Sequence, residues 1–301
     1  MGLTRVDPFW LARGRKQSST GLIYVTGGHD ASSTSTILAS PDGVTWTPRT
    51  SGVSVLLYQM THANGRFVAV GRNGTIVTSL DGLTWTPRTS GVSTDLYCAA
   101  YINGLFYVTG VAGVILTSPD GVTWTPRTSG VSTLLYSIVY ANGQLLAVGG
   151  GGAIIASTDG VTWAPRTSGV SASLLCVGYF SGQFVVSGSG GVILTSPDGV
   201  TWTSRTSGSA AVLHYVGHIA GMYYATGNTG TLLKSPDGVT WTLVPTGAPG
   251  TLYGIIHANG QFISATGGGT VLTSPDGVTW TLRATGAAAN VALLFPIWVA
   301  D

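Results

Sequence analysis

The stretch Ser118-Pro119-Asp120-Gly121-Val122-Thr123-Trp124 decides the fold, because close copies of it recur along the whole chain. The copies end at Trp46, Trp85, Trp124, Trp163, Trp202, Trp241 and Trp280, with a constant step of 39 residues. Such a period is typical of solenoids and β-propellers. The repeat alternates apolar and polar residues and is broken by turn residues, which favours strands over helices.

One copy of the repeat shows how the strands are arranged. Leu57 to His62 and Phe67 to Val70 read as two strands joined by a tight turn at Asn64-Gly65, where positive φ angles are needed. Thr75 to Ser79 and Thr84 to Pro87 read as the third and fourth strands. Four short antiparallel strands per period predict one propeller blade.

Seven copies therefore predict an all-β, seven-bladed β-propeller of four-stranded antiparallel blades over residues 19–301. Val291 to Pro296 align with the first strand of the repeat, and residues near the amino terminus align with the other three. We expect the ring to be closed by this carboxyl-terminal strand, which completes the amino-terminal blade as its inner strand.

Two segments depart from the repeat. Residues 1–18 match no strand, and Phe9 and Trp10 precede several basic residues there, so this arm is a candidate docking segment for a partner or for its own propeller. The shared blade carries an insertion from Gly28 to Ser35, which includes His29 and Asp30. These two residues are candidate ligand contacts because they break the symmetry of the ring.

The repeated motif resembles the Asp-box of the BNR-like propeller superfamily. The aspartates are Asp42, Asp81, Asp120, Asp159, Asp198, Asp237 and Asp276. An aspartate in such a turn accepts hydrogen bonds from backbone N–H groups, and the tryptophan packs between blades. We expect all these aspartates and tryptophans to be structural. Similar repeats occur in propellers of phage tail-associated proteins, which implies a virion or extracellular setting.

Composition narrows the function further. Only 8% of the residues are charged, glutamate is absent, and the basic residues are spread along the chain. Nucleic acid is therefore an unfavoured partner, and no apolar leader typical of a signal peptide or stretch suited to membrane insertion is found. Asp7, Asp30, Asp95 and Asp301 are the carboxylates outside the motif. We expect no catalytic residues, no metal site and no cofactor.

An arginine follows the motif in most copies and forms the main candidate binding surface. These residues are Arg49, Arg88, Arg127, Arg166, Arg205 and Arg283, and Val244 takes the place in the remaining copy. They begin the loops that join consecutive blades, so they are expected on the face opposite the Asp-boxes. The alternative is that each guanidinium binds carbonyl groups of its own blade or stacks on an aromatic ring.

The sequence thus predicts a non-enzymatic structural or adhesive module, most plausibly a phage tail or host-recognition protein that contacts other virion proteins through its arm. The alternative is a multivalent lectin for surface glycans, in which repeated aromatic residues give avidity. A glycan hydrolase or lyase is the least favoured reading, because its catalytic groups would have to come from the unique segments around Asp30 or Asp95, and a hydrolase needs two carboxylates flanking one bond. Ligand identity, oligomeric state and host are left open.

Overall fold

The computed structural model describes residues 24–29, 35–40, 45, 47–258, 260–267, 270–284 and 292–298. In these ranges the chain forms strands β1 to β28, which assemble into four-stranded antiparallel sheets. No helix in the described part of the chain has the length and apolar character needed to cross a bilayer. The arm and Asp30 lie outside the described residues.

Six of the sheets are blades of four consecutive strands. The first blade contains β4 (Leu57–Ala63), β5 (Arg66–Gly71), β6 (Ile76–Ser79) and β7 (Thr86–Arg88). The second contains β8 (Leu96–Ile102), β9 (Leu105–Gly110), β10 (Ile115–Ser118) and β11 (Thr125–Arg127). The third contains β12 (Leu135–Ala141), β13 (Gln144–Gly149), β14 (Ile154–Ser157) and β15 (Ala164–Arg166).

The other three blades follow the same order. The fourth contains β16 (Leu174–Phe180), β17 (Gln183–Gly188), β18 (Ile193–Ser196) and β19 (Thr203–Arg205). The fifth contains β20 (Leu213–Ile219), β21 (Met222–Gly227), β22 (Leu232–Ser235) and β23 (Thr242–Leu243). The sixth contains β24 (Leu252–Ala258), β25 (Gln261–Thr266), β26 (Thr270–Ser274) and β27 (Thr281–Ala284).

The remaining sheet combines both ends of the chain. It contains β1 (Tyr24–His29), β2 (Ser35–Ser40), β3 (Thr47–Arg49) and β28 (Ala292–Trp298), in the order β28-β1-β2-β3. Strand β28 contacts β24 of the sixth blade and β4 of the first blade. We call this the composite sheet.

The prediction of seven blades is corrected to six blades and one composite sheet. Only the six sheets from β4 to β27 repeat the complete unit of four consecutive strands. The composite sheet departs from that unit because β28 lies more than 240 residues from β3 along the chain and because β1 and β2 carry the symmetry-breaking insertion. Its His29 forms the last residue of β1, where a loop was expected, and pairs with Ala292 of β28.

Glycine and asparagine at the hairpins explain why each blade folds back on itself. At the β4–β5 turn Asn64 has φ 51° and Gly65 has φ 69°, which are left-handed values. The turn between the second and third strands is a short 3-10 turn, such as Val111–Gly113. A side chain on Gly113 would lie 2.0 Å from the carbonyl oxygen of Val131, so only glycine fits there.

The core lies between the blades and is formed by the two middle strands of each. Val68 and Val77 are fully buried in the first blade, as are Val185 and Leu194 in the fourth. Both faces of a blade are covered by its neighbours, so the middle strands are apolar at almost every position. The outer strands are largely exposed and in several blades carry proline, which blocks pairing with another chain.

Polar atoms on the inner strands link neighbouring blades. The amide of Ala99 donates to Gln59 Oε1 at 2.8 Å, and the amide of Val216 donates to Cys176 Sγ at 3.3 Å. Each acceptor lies at an irregularity near the start of its inner strand, which turns the side chain toward the next blade. Cys98 and Cys176 are both buried and free, and they serve as small core residues.

Candidate functional site

The repeated motif forms one closed turn in each of the six blades. In the second blade Ser118 Oγ donates to Asp120 Oδ1 at 3.0 Å and accepts the amide of Gly121 at 2.8 Å. Asp120 Oδ1 also accepts the amides of Val122 at 2.8 Å and Thr123 at 3.0 Å. The motif therefore satisfies the backbone donors of the turn between the third and fourth strands, which extends far enough that the fourth strand begins only at Thr125.

The hydrogen bonds stabilise the charged form of these aspartates. The amides of Thr162 and Val161 lower the pKa of Asp159 to about 2, and those of Thr279 and Val278 do the same for Asp276. A carboxyl group with such a low pKa cannot hold a proton near neutral pH and so cannot act as a general acid. In the six blades the motif aspartates hold the turns in which they lie.

Two of the motif tryptophans, Trp85 and Trp241, close the same turns with a hydrogen bond, whereas the buried Nε1 atoms of Trp124, Trp163, Trp202 and Trp280 have no partner. Trp85 is 7% exposed, its Nε1 donates to the carbonyl oxygen of Gly82 at 3.2 Å, and its ring packs at 5.8 Å from Phe67. Trp241 repeats the hydrogen bond with Gly238. These contacts lie within the blade core. Asp42 and Trp46 of the composite sheet lie outside the described residues.

The arginines that follow the motif are held by their own blades. In four blades Nε donates to a threonine hydroxyl of the third strand; the pairs are Arg88 with Thr78, Arg127 with Thr117, Arg205 with Thr195 and Arg283 with Thr273. The distances run from 2.8 to 3.3 Å. The guanidinium groups are thus anchored on the sheet, although through a hydroxyl and not through the carbonyl group that the alternative reading named.

The exceptions follow from the residue at the threonine position. Ala156 replaces the threonine opposite Arg166, and Ala39 replaces it opposite Arg49. In both arginines the buried Nε has no hydrogen-bond partner. In the fifth blade Val244 replaces the arginine and Lys234 replaces the threonine, so a basic group is kept on the other strand. The arginines occupy equivalent positions on the outer strands and do not converge on one site.

The loops that join blades share one face with the 3-10 turns. The amide of Gly191 donates to the carbonyl oxygen of Ala211 at 2.7 Å, and Thr133 Oγ1 donates to the carbonyl oxygen of Gly150 at 3.1 Å. Joining loops and the turns between second and third strands therefore pack together. We call this side the loop face and the opposite side, which carries the motif turns, the Asp-box face.

A cavity opens at the centre of the loop face. Its volume is about 330 Å³, and it is lined by residues from the starts of the inner strands and from the adjoining turns and loops; these are Tyr58, Tyr97, Tyr136, Ser173, Leu175, Ser189, Val212, His214 and Tyr253. Six of them occupy one repeat position, the second residue of the inner strand, in six consecutive blades. We call this cavity the channel mouth.

The tyrosines of the channel mouth contact one another across blade boundaries. The rings of Tyr58 and Tyr97 are stacked with centroids 4.5 Å apart, and Tyr97 meets Tyr136 edge-on at 5.3 Å. Burial raises the pKa of Tyr136 and Tyr253 above the usual value. These phenols therefore stay neutral, and the cavity has an aromatic, partly desolvated wall.

One carboxylate lies beside this wall. Asp95 Oδ2 accepts the hydroxyl of Tyr58 at 3.1 Å, and Oδ1 accepts the amide of Asn73 at 3.0 Å. The pKa of Tyr58 is raised by burial and by the neighbouring Tyr97 and Asp95. In the other five blades the equivalent residues are uncharged; they are Leu56, Leu134, Ser173, Val212 and Thr251. Asp95 therefore adds a charge that the other blades do not have at this position.

A histidine closes the opposite side of the mouth. His214 Nε2 lies 2.7 Å from Asn228 Oδ1, and its ring lies 5.4 Å from that of Tyr253. Burial lowers the pKa of His214, so the ring is neutral at physiological pH. An amide oxygen only accepts hydrogen bonds, which places the ring proton on Nε2 and leaves Nδ1 as an acceptor.

The other histidines have structural positions. The pKa of the buried His62 is lowered to about 4 by desolvation, and its ring packs 4.2 Å from Phe67. His257 packs against Phe262 in the same way, at 4.4 Å. In the described residues no cluster of histidine, cysteine and acidic side chains is suited to hold a metal ion.

The sequence did not identify the channel mouth. It placed the candidate site at the arginines, at His29 and Asp30, and at Phe9 and Trp10. Phe9, Trp10 and Asp30 lie outside the described residues, as does the side chain of His29. The available signal was that Leu175 and His214 interrupt a tyrosine repeat, whereas the buried packing position of Val77 is aliphatic in all six blades.

Comparison with models of known protein families identifies the family of the chain. The model of the DUF6242 beta propeller domain matches residues 18–128 and 183–297. The chain belongs to this family. The match spans most of the ring and agrees with the four-stranded blades of the structure. No curated protein matches the chain.

Solved structures with the same fold are distant in sequence. YCF48 bound to D1 peptide is 20% identical with a TM-score of 0.60, and the match covers 75% of this chain and 80% of that one. YCF48 from Cyanidioschyzon merolae is 19% identical, with a TM-score of 0.62 over 79% and 94% of the chains. A catalytically inactive virginiamycin B lyase from Staphylococcus aureus, with quinupristin, is 11% identical, with a TM-score of 0.68 over 77% and 85%. These likenesses concern the fold alone.

Proposed function

We propose that this DUF6242 propeller is a non-enzymatic binding module and that its ligand binds at the channel mouth. The observation that carries the proposal is the convergence of four tyrosines, one histidine and one leucine from six blades on a single cavity. A concave site with an aromatic wall and few polar groups is the usual form of a ligand pocket. Rigid tyrosines also bind at a low cost in conformational entropy.

The carboxylates of the described residues support a role without catalysis. The motif aspartates are engaged in their turns on the Asp-box face, while Asp95 stands on the loop face. Hydrolysis of a glycan by paired carboxylates needs two of them on either side of one bond. A glycan hydrolase is therefore the least favoured function.

A glycan-array and peptide-array experiment tests the proposal. Wild-type protein is compared with the double variant Tyr97→Ala, Tyr136→Ala, and with Val161→Ala, Val200→Ala as the matched control on exposed valines of the Asp-box face. We expect the tyrosine variant to lose the signals of the wild type and the valine variant to keep them. Circular dichroism and melting curves show whether each variant is folded. Signals unchanged in the folded tyrosine variant would refute the proposal.

A lectin is the second candidate, favoured by the size of the channel mouth. A volume of about 330 Å³ suits a short saccharide, and tyrosine faces can pack against the apolar side of a sugar ring. This differs from the multivalent lectin expected from the sequence, because several blades build one site together. Binding on the glycan array alone, lost in the tyrosine variant, would favour it.

We also propose, from the resemblance to Asp-box propellers, that the module acts in a phage virion as a tail or host-recognition protein. Its support is the composition, with 8% charged residues and 45 glycines, and the repeated motif itself. Residues 1–18 would then contact other virion proteins. Mass spectrometry of purified virions checks this, and finding the chain only as a free protein in infected cells would count against it.

A further inference from the structure

We propose that the channel mouth selects a ligand that carries a primary ammonium group, as a lysine side chain or an amino sugar does. This inference rests on the proposed function, because it assumes that the channel mouth is the ligand site. It adds the chemical class of the group that enters the cavity and names Asp95 as the residue that recognises it.

The first step is the unused hydrogen-bonding capacity of Asp95. A carboxylate offers about four acceptor positions. The hydroxyl of Tyr58 and the amide of Asn73 each use one, on different oxygens. These two neutral donors orient the carboxylate without cancelling its charge. A ligand with a positive charge and several N–H donors complements the remaining positions.

The second step is the aromatic wall. Tyrosine rings attract cations to their faces, most strongly where water is excluded. Tyr58, Tyr97, Tyr136 and Tyr253 all line the cavity and are half-buried. Because the pKa of Tyr58, Tyr136 and Tyr253 is raised, these rings remain phenols, and Asp95 provides the negative charge.

The basic side chains near the same rim are those of His214 and Arg72. Burial lowers the pKa of His214, so its ring is neutral. The ring proton lies on Nε2, and Nδ1 can therefore accept a hydrogen bond. Arg72 belongs to the 3-10 turn beside Asn73 and is exposed to solvent. Ser189 and Asn228 occupy the equivalent position in other blades, where Ser189 lines the cavity and Asn228 contacts His214. Among the described turns, Arg72 is the one cation at this position. A cationic ligand must tolerate it, whereas an anionic ligand would depend on it.

The fourth step is size. A volume of about 330 Å³ is at the small end of ligand pockets and admits a side chain or one or two sugar rings, not a folded domain. The ammonium group is therefore expected to be a terminal group that enters the mouth while the rest of the ligand lies on the loop face.

The test uses two pairs of probes that differ in the ammonium group. n-Butylammonium is compared with 1-butanol, and glucosamine with glucose, by saturation-transfer NMR and calorimetric titration of the full chain at pH 7. We expect the ammonium member to bind about tenfold tighter or more in at least one pair. The pair that shows the larger difference tells whether an alkyl or a sugar amine is the better source.

Variants assign the effect to the mouth. Asp95→Asn should remove the preference for the ammonium member, while Asp120→Asn, on the Asp-box face, should keep it. Leu175→Tyr adds a ring to the wall and should tighten ammonium binding by about two- to fivefold. Arg72→Ala should tighten it as well. Melting curves confirm that each variant is folded.

The outcomes separate the two proposals. Equal binding of ammonium and alcohol probes, no binding of either ammonium probe at high concentration, or loss of binding in Arg72→Ala would each overturn the ammonium proposal. The proposed function would still stand in these cases if array ligands are lost in the Tyr97→Ala, Tyr136→Ala variant. If the Tyr97→Ala, Tyr136→Ala variant gives the same array signals as the wild type, the proposed function fails as well.

Discussion

The two faces of the ring use the same repeat in opposite ways. On the Asp-box face every described blade has the same serine, aspartate and glycine, and the same hydrogen bonds recur at nearly equal distances. On the loop face the blades differ, with Asp95 and His214 present once each among the described positions. Repetition therefore marks what each blade needs to fold, and variation marks the face on which we propose that a ligand binds.

The largest expected effect concerns the composite sheet. Deletion of residues 290–301 removes β28, which pairs with β1 and contacts both neighbouring blades. We expect the truncated chain to lose cooperative unfolding, because the sixth and first blades lose the strand between them. Calorimetry and urea unfolding measure this. Deletion of residues 1–18 is the control and should keep one transition; an unchanged melting curve after the carboxyl-terminal deletion would contradict this view of closure.

A second prediction uses the pH dependence of the Asp-box side of the first blade. His62 has a pKa of about 4 when folded and about 6.5 when unfolded, so the unfolded chain binds the additional proton between these values. The stability that neutral His62 contributes is complete above pH 6.5 and is lost as the pH falls toward 4, by roughly 3 kcal/mol. Urea unfolding at pH 7, 5.5 and 4 measures the loss.

The variant His62→Tyr provides the control, because tyrosine occupies this position in the second, third and fourth blades. The variant should lose less stability than the wild type between pH 7 and 4, because His214, whose pKa is also lowered by burial, still contributes to the pH dependence. Below pH 4 both proteins should lose stability, because the motif aspartates, with pKa values of about 2 in Asp159 and Asp276, become protonated there. Parallel curves for the two proteins between pH 7 and 4 would show that His62 does not carry the effect.

A third prediction compares the faces directly. Ser196 is fully buried, and its hydroxyl accepts the buried amide of Gly199 at 2.8 Å. Ser196→Ala leaves that amide without a partner and should lower the free energy of unfolding by about 1–3 kcal/mol, with ligand binding at the mouth retained. Ser173→Ala on the mouth should change stability by less than about 0.5 kcal/mol. The reverse ranking would remove the distinction between the two faces.

The smallest expected effect is a gain. Arg166 Nε is buried without a partner, whereas four equivalent arginines bind a threonine hydroxyl. Ala156→Thr supplies that hydroxyl and should raise the free energy of unfolding by about 1 kcal/mol. Ala156→Val has the same shape and is the control. If both substitutions change stability equally, the hydrogen bond contributes nothing and the arginines are not held by the threonines.

The strand order and the motif were predictable because they depend on local chemistry. Alternation in Leu57 to His62 and the turn at Asn64-Gly65 predicted the first hairpin to within one residue at each end. The fourth strand was placed too early, at Thr84, because the carboxylate of Asp81 accepts the amides of Leu83 and Thr84 and keeps them in the turn. The threonine partner of each arginine was not predicted, because it lies ten residues away in sequence on the neighbouring strand, as Thr117 does for Arg127.

The sequence by itself determined the blade, the turns and the roles of the motif aspartates and tryptophans, since these depend on residues within one 39-residue period. The alignment of Val291 to Pro296 with the repeat also predicted that the chain ends share a sheet, which the order β28-β1-β2-β3 confirms. Only the tertiary structure decided which residues line the channel mouth. Tyr58 and Asp95 are 37 residues apart and meet because neighbouring blades place the starts of their inner strands around one axis. A site built from one residue per blade has no local signature, because its geometry exists only in the assembled ring.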